Sequence, residues 1–284
     1  MNLEFDCIPC IFRQVLEASR MVTEDEKLIR DILNKYALRI PEIKMDESAP
    51  LIVTEMQNFI KEVTGKEDPY YNFKKRNIKK ARELYSHVEN TVKTHKDPLL
   101  AALLMSAMGN SIDAGVSLDV DIDGNIKNAL KSGFKYSDYN KFLERLDGAK
   151  RVLIIADNAG EAVFDRLLIQ ELNKEKLDIT YAVRDKAILN DVTLKEARDI
   201  GIDKYCKLIS SGCDTPGLIL DRVSSQFMKI YNDAEIIISK GQGNLEGLLG
   251  TEREIFFLMK VKCHLIAKKL GSGLEVGDFI FKLY

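Results

Sequence analysis

Acidic, amide and basic side chains recur at the points where short apolar runs stop. VLIIA (152–156) is followed by Asp157-Asn158-Ala159-Gly160-Glu161. ITYAV (179–183) leads into Arg184-Asp185 and then Asn190-Asp191, and EIIIS (235–239) leads into Lys240-Gly241-Gln242-Gly243-Asn244-Leu245-Glu246. Carboxylate and amide oxygens are hard ligands suited to Mg2+ or Mn2+. Asp157, Asn158 and Asp191 could therefore hold such a cation. Arg184 and Lys240 could meet phosphate oxygens, Arg184 as a fork and Lys240 as a point charge. Gly160 and Gly241 allow close backbone approach, and a helix opening near Glu161 favours anions. Each cluster also has a plain structural reading. Asp157 or Asn158 could cap a helix, the stretch from Arg184 to Asp191 could be a solvated loop with an N-cap before the Leu194 helix, and Lys240–Asn244 could be a glycine turn. What favours chemistry is convergence. In an open α/β sheet, ligands bind beyond the carboxyl ends of the strands, and these clusters would share one sheet edge. Together they fit metal-assisted phosphate chemistry. Neither a Walker G-x-x-x-x-G-K-[ST] loop nor G-x-G-x-x-G is present.

The elements that must position these residues follow from periodicity. Ile8, Ile11, Phe12, Val15 and Leu16 share a helical face, as do Leu28, Ile29, Ile32, Leu33 and Tyr36. Further helices are expected from Ala49 to Val63, stopping near Gly65, and from Tyr70 to His95, with Asp68 as N-cap and Pro69 at the first position. Asp97-Pro98 repeats that start. LLAALLMSAMG after it is apolar nearly all round, so it should be deeply buried and end at Gly109-Asn110. From Arg151 the texture alternates between short apolar runs and helices at 161–173, at Leu194–Ile200 and from about Asn244, with IFFLM (255–259) as a further strand. HLIAKKLG forms a last helix stopped by Gly271. The expected fold class is α/β: a helical N-terminal part (1–96) and a mainly parallel three-layer α/β/α sheet domain (97–284).

The chain has 284 residues, 45% hydrophobic and 30% charged, with a net charge of −2. The intermixed charges argue against a nucleic-acid partner. No run approaches the ~18 apolar residues of a membrane helix, and the start lacks the pattern of a signal peptide. A cytoplasmic protein is expected; its oligomeric state is left open. Five cysteines, an odd number, argue against a secreted disulfide framework. Cys7-x-x-Cys10 could be a reduced pair, a redox pair, or part of a second metal site with Cys263. Asp119-x-Asp121-x-Asp123-Gly124 mimics an EF-hand opening, but Leu130 stands where the bidentate Glu should be, so a polar turn is expected. His87, His95 and His264 have no zinc-ligand spacing. Lys74-Lys75-Arg76 with Lys79-Lys80 reads as a solvated helix face.

With these residues in view, the chain resembles the damage-control phosphatase (ARMT-like) family. The resemblance rests on Gly109-Asn110-Ser111-Ile112-Asp113, DNAGE at 157–161, Asn190-Asp191 and KGQGNLE at 240–246, in that order along nearly the whole chain. Cys7-Ile8-Pro9-Cys10 resembles the branch with a C-x-x-C. The resemblance implies a phosphatase acting on small phosphorylated metabolites with Mn2+, Mg2+, Co2+ or Ni2+. It implies Asp157, Asn158 and Asp191 as metal ligands, Asn110 and Asp113 lining the pocket, and Lys240 facing the phosphate. Arg184, Gly160, Gly241, Gln242 and Asn244 are the remaining expected substrate contacts. Glu161 or Asp113 is the expected base. The attacking group is either water or Asp157. DNAGE lacks the second Asp, two residues on, that haloacid-dehalogenase enzymes use, which favours water. The alternatives are an S-adenosylmethionine-dependent carboxyl methyltransferase, for which no glycine-rich cofactor loop is seen, and a non-catalytic metabolite-binding protein.

Overall fold

Strands that are apolar on both faces need helices on both sides, and the structure supplies them. It is a computed structural model that describes the backbone of residues 1–112 and 122–284 and the side chains of 1–109 and 124–284. The chain opens with α1 (Cys7–Val22), α2 (Glu26–Ala37), α3 (Ala49–Thr64) and α4 (Tyr71–Thr94). Next come α5 (Pro98–Ile112), α6 (Ile122–Ser132), β1 (Tyr136–Ser137) and α7 (Tyr139–Leu146). Strands and helices then alternate: β2 (Arg151–Ile155), α8 (Ala162–Asn173), β3 (Asp178–Val183), α9 (Leu194–Ile200) and β4 (Lys207–Ser210). The chain closes with α10 (Ser225–Asp233), β5 (Ile236–Lys240), α11 (Gln242–Leu248), β6 (Phe256–Lys260), α12 (His264–Leu270) and β7 (Phe279–Leu283).

The sheet has seven strands in the order β1-β7-β6-β5-β2-β3-β4. All neighbours are parallel except β6 and β7. From β2 the chain moves outward through β3 to β4, then returns to place β5 on the other side of β2. The order therefore reverses between β2 and β5, where open α/β sheets form their binding crevice. The loops leaving those two strands are DNAGE and KGQGNLE.

Side chains on alternate sides of the strands feed separate cores. Val152, Ile154, Tyr181, Ile238 and Leu258 pack with α4, α5 and α8. Leu153, Ile155, Ile237, Phe257 and Met259 pack with α10, α11 and α12. Ile11, Val15, Ile32, Ile52, Met56 and Phe59 form a third core among α1–α3. Residues Ala101–Met108 of α5 are all buried, as its uniform apolarity predicts. The expected boundary near residue 97 falls between α4 and α5, which share the first core: Ile78, Ala81, Val88 and Val92 of α4 pack there.

Several expected starts and stops move. Asp68 does not cap α4. The helix begins at Tyr71 behind an Asp68 turn, in which the Asp68 carboxylate accepts from Tyr70 N (3.1 Å) and pairs with Lys74 (2.7 Å). Lys74 is consequently not a solvated cation. It is 1% exposed and also pairs with Glu196 of α9 (2.9 Å). Asp97 does serve α5, accepting from Leu100 N (3.0 Å), while α5 runs past Gly109 to Ile112. Periodicity does not foresee β1, β4, β7, α6, α7 or α10. β4 is a short edge strand with one fully buried position, and β7 follows the apparent stop at Gly271. Between β4 and α10 the segment 216–218 crosses α11 at Gly243 and Gly247. A Cβ on either would come within 2.2 Å of the Pro216 or Leu218 carbonyl oxygen, so glycine is required at both.

Candidate active site

The loop after β2 is stitched to the segment that follows β3. Ala159 N donates to Asn190 O (2.9 Å) and Val192 N to Asp157 O (2.9 Å). An isolated antiparallel bridge pairs Asn158 with Asp191. These bonds bring Asp157, Asn158 and Asp191 side by side, and all three are buried. Asn158 Nδ2 donates to Asp157 Oδ2 (3.1 Å). That orients the amide so that its oxygen is the atom available to a cation. Neither residue is the cap of α8, because that position belongs to Glu161. Nor is Asp191 the cap of α9. Thr193 fills that role, in a capping box with Glu196. Neither Asp157 nor Asn158 is thus a helix cap, while the N-cap expected before the Leu194 helix is present at Thr193.

Gly241 joins β5 to α11 at φ +80°. A Cβ there would lie 2.1 Å from Asp157 Oδ2. Only glycine combines that backbone with this approach, so the Asp157 carboxylate rests on the Gly241 backbone. Gly160 is similarly tight, with its would-be Cβ 3.1 Å from Cβ of Asn77 on α4.

Arg184 and Asn244, expected to meet substrate, are spent inside the protein. Arg184 is 2% exposed. Its Nε donates to Asp191 Oδ2 and its Nη2 to Asn244 Oδ1, both at 2.7 Å. Asn244 also accepts from Leu218 N (2.8 Å) and donates to Ala156 O (3.0 Å) and Lys240 O (2.7 Å). Its amide thereby ties the ends of β2 and β5 to the segment after β4. Gln242 is engaged too: Nε2 donates to Glu246 (2.9 Å) and Oε1 accepts from Lys262 N (3.1 Å). Arg184 and Asn244 are buried polar groups, and burial without partners is costly, so each has been satisfied internally, whereas Gln242 is half-buried.

Lys240 lies fully buried beneath the same loop. Its ammonium bonds Glu161 Oε1, Asp165 Oδ1 (2.7 Å) and Ser106 O (3.5 Å). Asp165 in turn accepts from Ser106 Oγ (2.5 Å) and Tyr181 Oη (2.6 Å). Sequence reasoning misses Asp165, Ser106 and Tyr181. Asp165 has a signal, since it stands four residues from Glu161 on the same helical face. Ser106 and Tyr181 read only as members of apolar runs.

The electrostatics follow from two carboxylates sharing one cation at each centre. Burial pushes Asp191 up to about 7; Arg184 opposes this and the charge of Asp157 adds to it. Burial pushes Glu161 up to about 8, against Lys240 and with Asp165 and Asp157. For Lys240, burial pulls down but Asp165 and Glu161 outweigh it, so the ammonium is held charged. A divalent cation suits the first centre. It offers two carboxylates and an amide oxygen, buried, with one positive charge between them.

Asp113 and the side chain of Asn110 lie outside the described residues, as do Asp119, Asp121 and the side chain of Asp123. The second metal site is corrected. Among the described residues no group of three or more His, Cys, Asp or Glu is placed to hold a metal ion, and Cys7, Cys10 and Cys263 are free thiols. The Cys7 and Cys10 sulfurs each accept a local hydrogen bond. Cys7 Sγ accepts from Glu4 N (3.5 Å) and Cys10 Sγ from Gln14 Nε2 (3.7 Å). Burial pushes the Cys7 thiol up, and the nearby Glu246, Cys263 and Cys10 add to it.

Comparison with known proteins agrees in fold and extent. The family model described as the damage-control phosphatase ARMT1-like domain matches residues 4–276. An uncharacterised protein of Methanocaldococcus jannaschii is 33% identical, over 98% of this chain and 94% of its own length. A protein of Archaeoglobus fulgidus named damage-control phosphatase is 30% identical, over 98% of this chain and 97% of its own. The crystal structure of a DUF89 family protein (PH1575) from Pyrococcus horikoshii superposes with a TM-score of 0.90 at 27% identity, covering 99% of this chain and 98% of that one.

Proposed function

The chain belongs to the damage-control phosphatase ARMT1-like family, and from that premise we propose that it is a metal-dependent phosphatase releasing phosphate from small phosphorylated metabolites. The observation that carries this is the juxtaposition of Asp157, Asn158 and Asp191 at the reversal of strand order, beside a buried, charged lysine. Asp157, Asn158 and Asp191 would hold Mn2+, Mg2+, Co2+ or Ni2+, which would supply Lewis-acid neutralisation of the phosphoryl oxygens. Lys240 is fully buried and bonded to Glu161 and Asp165 beneath the loop, so it would act on the phosphate at a distance, through its charge, rather than by contact. Arg184 holds Asp191 rather than the phosphate. Glu161 keeps its proton to about pH 8. It is therefore suited to give a proton to the leaving oxygen rather than take one from water, which leaves Asp113 as the remaining expected base. Residues 1–96 are read as the helical N-terminal part, in which α1–α3 share a core of their own and α4 packs on the sheet. No helix of the described residues is long and apolar enough to cross a membrane, and free thiols suit a reducing compartment, which we take to be the cytoplasm.

Phosphate release from p-nitrophenyl phosphate and a sugar-phosphate panel, with each divalent metal and with chelator, tests this reading. Metal-stimulated release that is lost in Asp157→Ala is expected. Release indifferent to metal, or retained in Asp157→Ala, overturns it.

A further inference from the structure

One residue beside the proposed metal site has a backbone it should avoid. Leu189 has φ +43°, in the left-handed region that bulky side chains rarely enter. Such strain persists only where surrounding contacts over-determine it, and it concentrates at functional sites. The contacts here are identifiable. The Leu189 side chain packs against the core of α1–α3, although it lies on the loop between β3 and α9. Two residues earlier, Ala187 O accepts a hydrogen bond from Lys61 Nζ of α3 (2.7 Å). Immediately after Leu189 come Asn190, whose carbonyl accepts from Ala159 N, and Asp191, whose amide donates to Ile188 O (3.1 Å). The loop is closed at its base by Arg184 N and Val192 O (3.0 Å). Its crest is fixed to the helical unit, and its descending limb carries Asp191.

We propose that Leu189 is a positioning residue through which the α1–α3 unit holds Asp191 against Asp157 and Asn158, so that docking of the helical unit sets the affinity of the site for a divalent cation. The proposal rests on the metal-site reading above. Without the Leu189 anchor the crest of the loop would relax, and Asp191 would have to be ordered at the moment of cation binding. That ordering entropy weakens affinity.

The experiment is calorimetric titration of Mn2+ into wild type, Leu189→Gly, Leu189→Met, Lys61→Ala and Asp191→Ala, with thermal melts of each metal-free protein. Leu189→Gly accepts the left-handed backbone while deleting the anchor, so it tests the contact without adding strain. Its Mn2+ affinity should fall roughly 10- to 100-fold, the range for groups that orient metal ligands. Leu189→Met, which retains an apolar anchor, should stay within about threefold of wild type. Lys61→Ala should weaken binding in the same direction. A Leu189→Gly protein that melts earlier yet binds Mn2+ as wild type does overturns the proposal and leaves the metal site intact. Wild-type affinity in Asp191→Ala instead sinks the metal-site reading itself.

Discussion

Two buried cations flank the end of β2, and each is outnumbered by carboxylates. Arg184 sits with Asp191 and, through it, Asp157; Lys240 sits with Glu161 and Asp165. The guanidinium of Arg184 bonds Asp191 and Asn244 and burial pushes Asp191 up to about 7, so the excess acid there can be met by a proton or, on the metal-site reading, by a divalent cation. Around Lys240 the excess is answered by a proton, which burial keeps on Glu161 to about pH 8. Asp165 differs from Glu161 in having two hydroxyl donors, Ser106 and Tyr181. On the metal-site reading, a divalent cation would meet the excess at one centre, while a proton on Glu161 meets it at the other.

The comparison breaks most completely if Lys240 is removed. Lys240→Met leaves Glu161 and Asp165 facing each other in the interior. We expect a loss of kcat of about 10²–10³-fold and of about 3–5 kcal/mol of stability at neutral pH, checked by steady-state kinetics and urea unfolding. Asp165→Asn is gentler. It keeps a hydrogen-bonding group against Ser106 and Tyr181 but removes the fixed negative charge, costing about 1.5–3 kcal/mol and lowering kcat more than it changes KM. If Asp165→Asn and Lys240→Met add independently in a double-mutant cycle, the two residues do not form one unit.

The proton side makes a pH prediction. Glu161 is raised from 4.5 to about 8, so the folded state binds its proton more tightly than the unfolded chain. Its stabilising contribution is complete below about pH 4.5 and is lost as pH rises toward 8. Metal-free protein should accordingly melt at lower temperature at pH 8 than at pH 5.5. Glu161→Gln, which cannot ionise, should flatten that slope. An unchanged slope in the variant would show that Glu161 is not the proton's seat. The smallest effect belongs to the thiols: Cys7→Ser combined with Cys263→Ser should leave bound divalent metal, measured by atomic emission, at the wild-type level.

The sheet is legible in the sequence because strands buried on both faces cannot hide: VLIIA, ITYAV and IFFLM are continuous apolar runs, and each is a strand to within a residue or two. Uniformly apolar α5 is legible for the same reason. Asp157, Asn158, Asp191 and Lys240 can be named because polar groups at the ends of such strands stand out. Their partners cannot. Arg184 meets Asn244 across sixty positions of sequence, and nothing local distinguishes an arginine that serves another side chain from one that serves a ligand. Lys74 is misread for that reason, since Glu196 is distant in sequence. Ser106 hides inside an apolar helix, where a lone hydroxyl looks like tolerated polarity. β4 and β7 escape notice because short or edge strands bury too little to leave a pattern.

The amide of Asn244 grips Ala156, Lys240 and Leu218 together with Arg184. Leu218 itself lies outside any helix or strand, and loop amides ordinarily trade their hydrogens with solvent quickly. Its N–H is nonetheless bound to a side chain that two central strands must release before it can let go. In hydrogen exchange this amide should keep time with the middle of the sheet, opening only when the ends of β2 and β5 open.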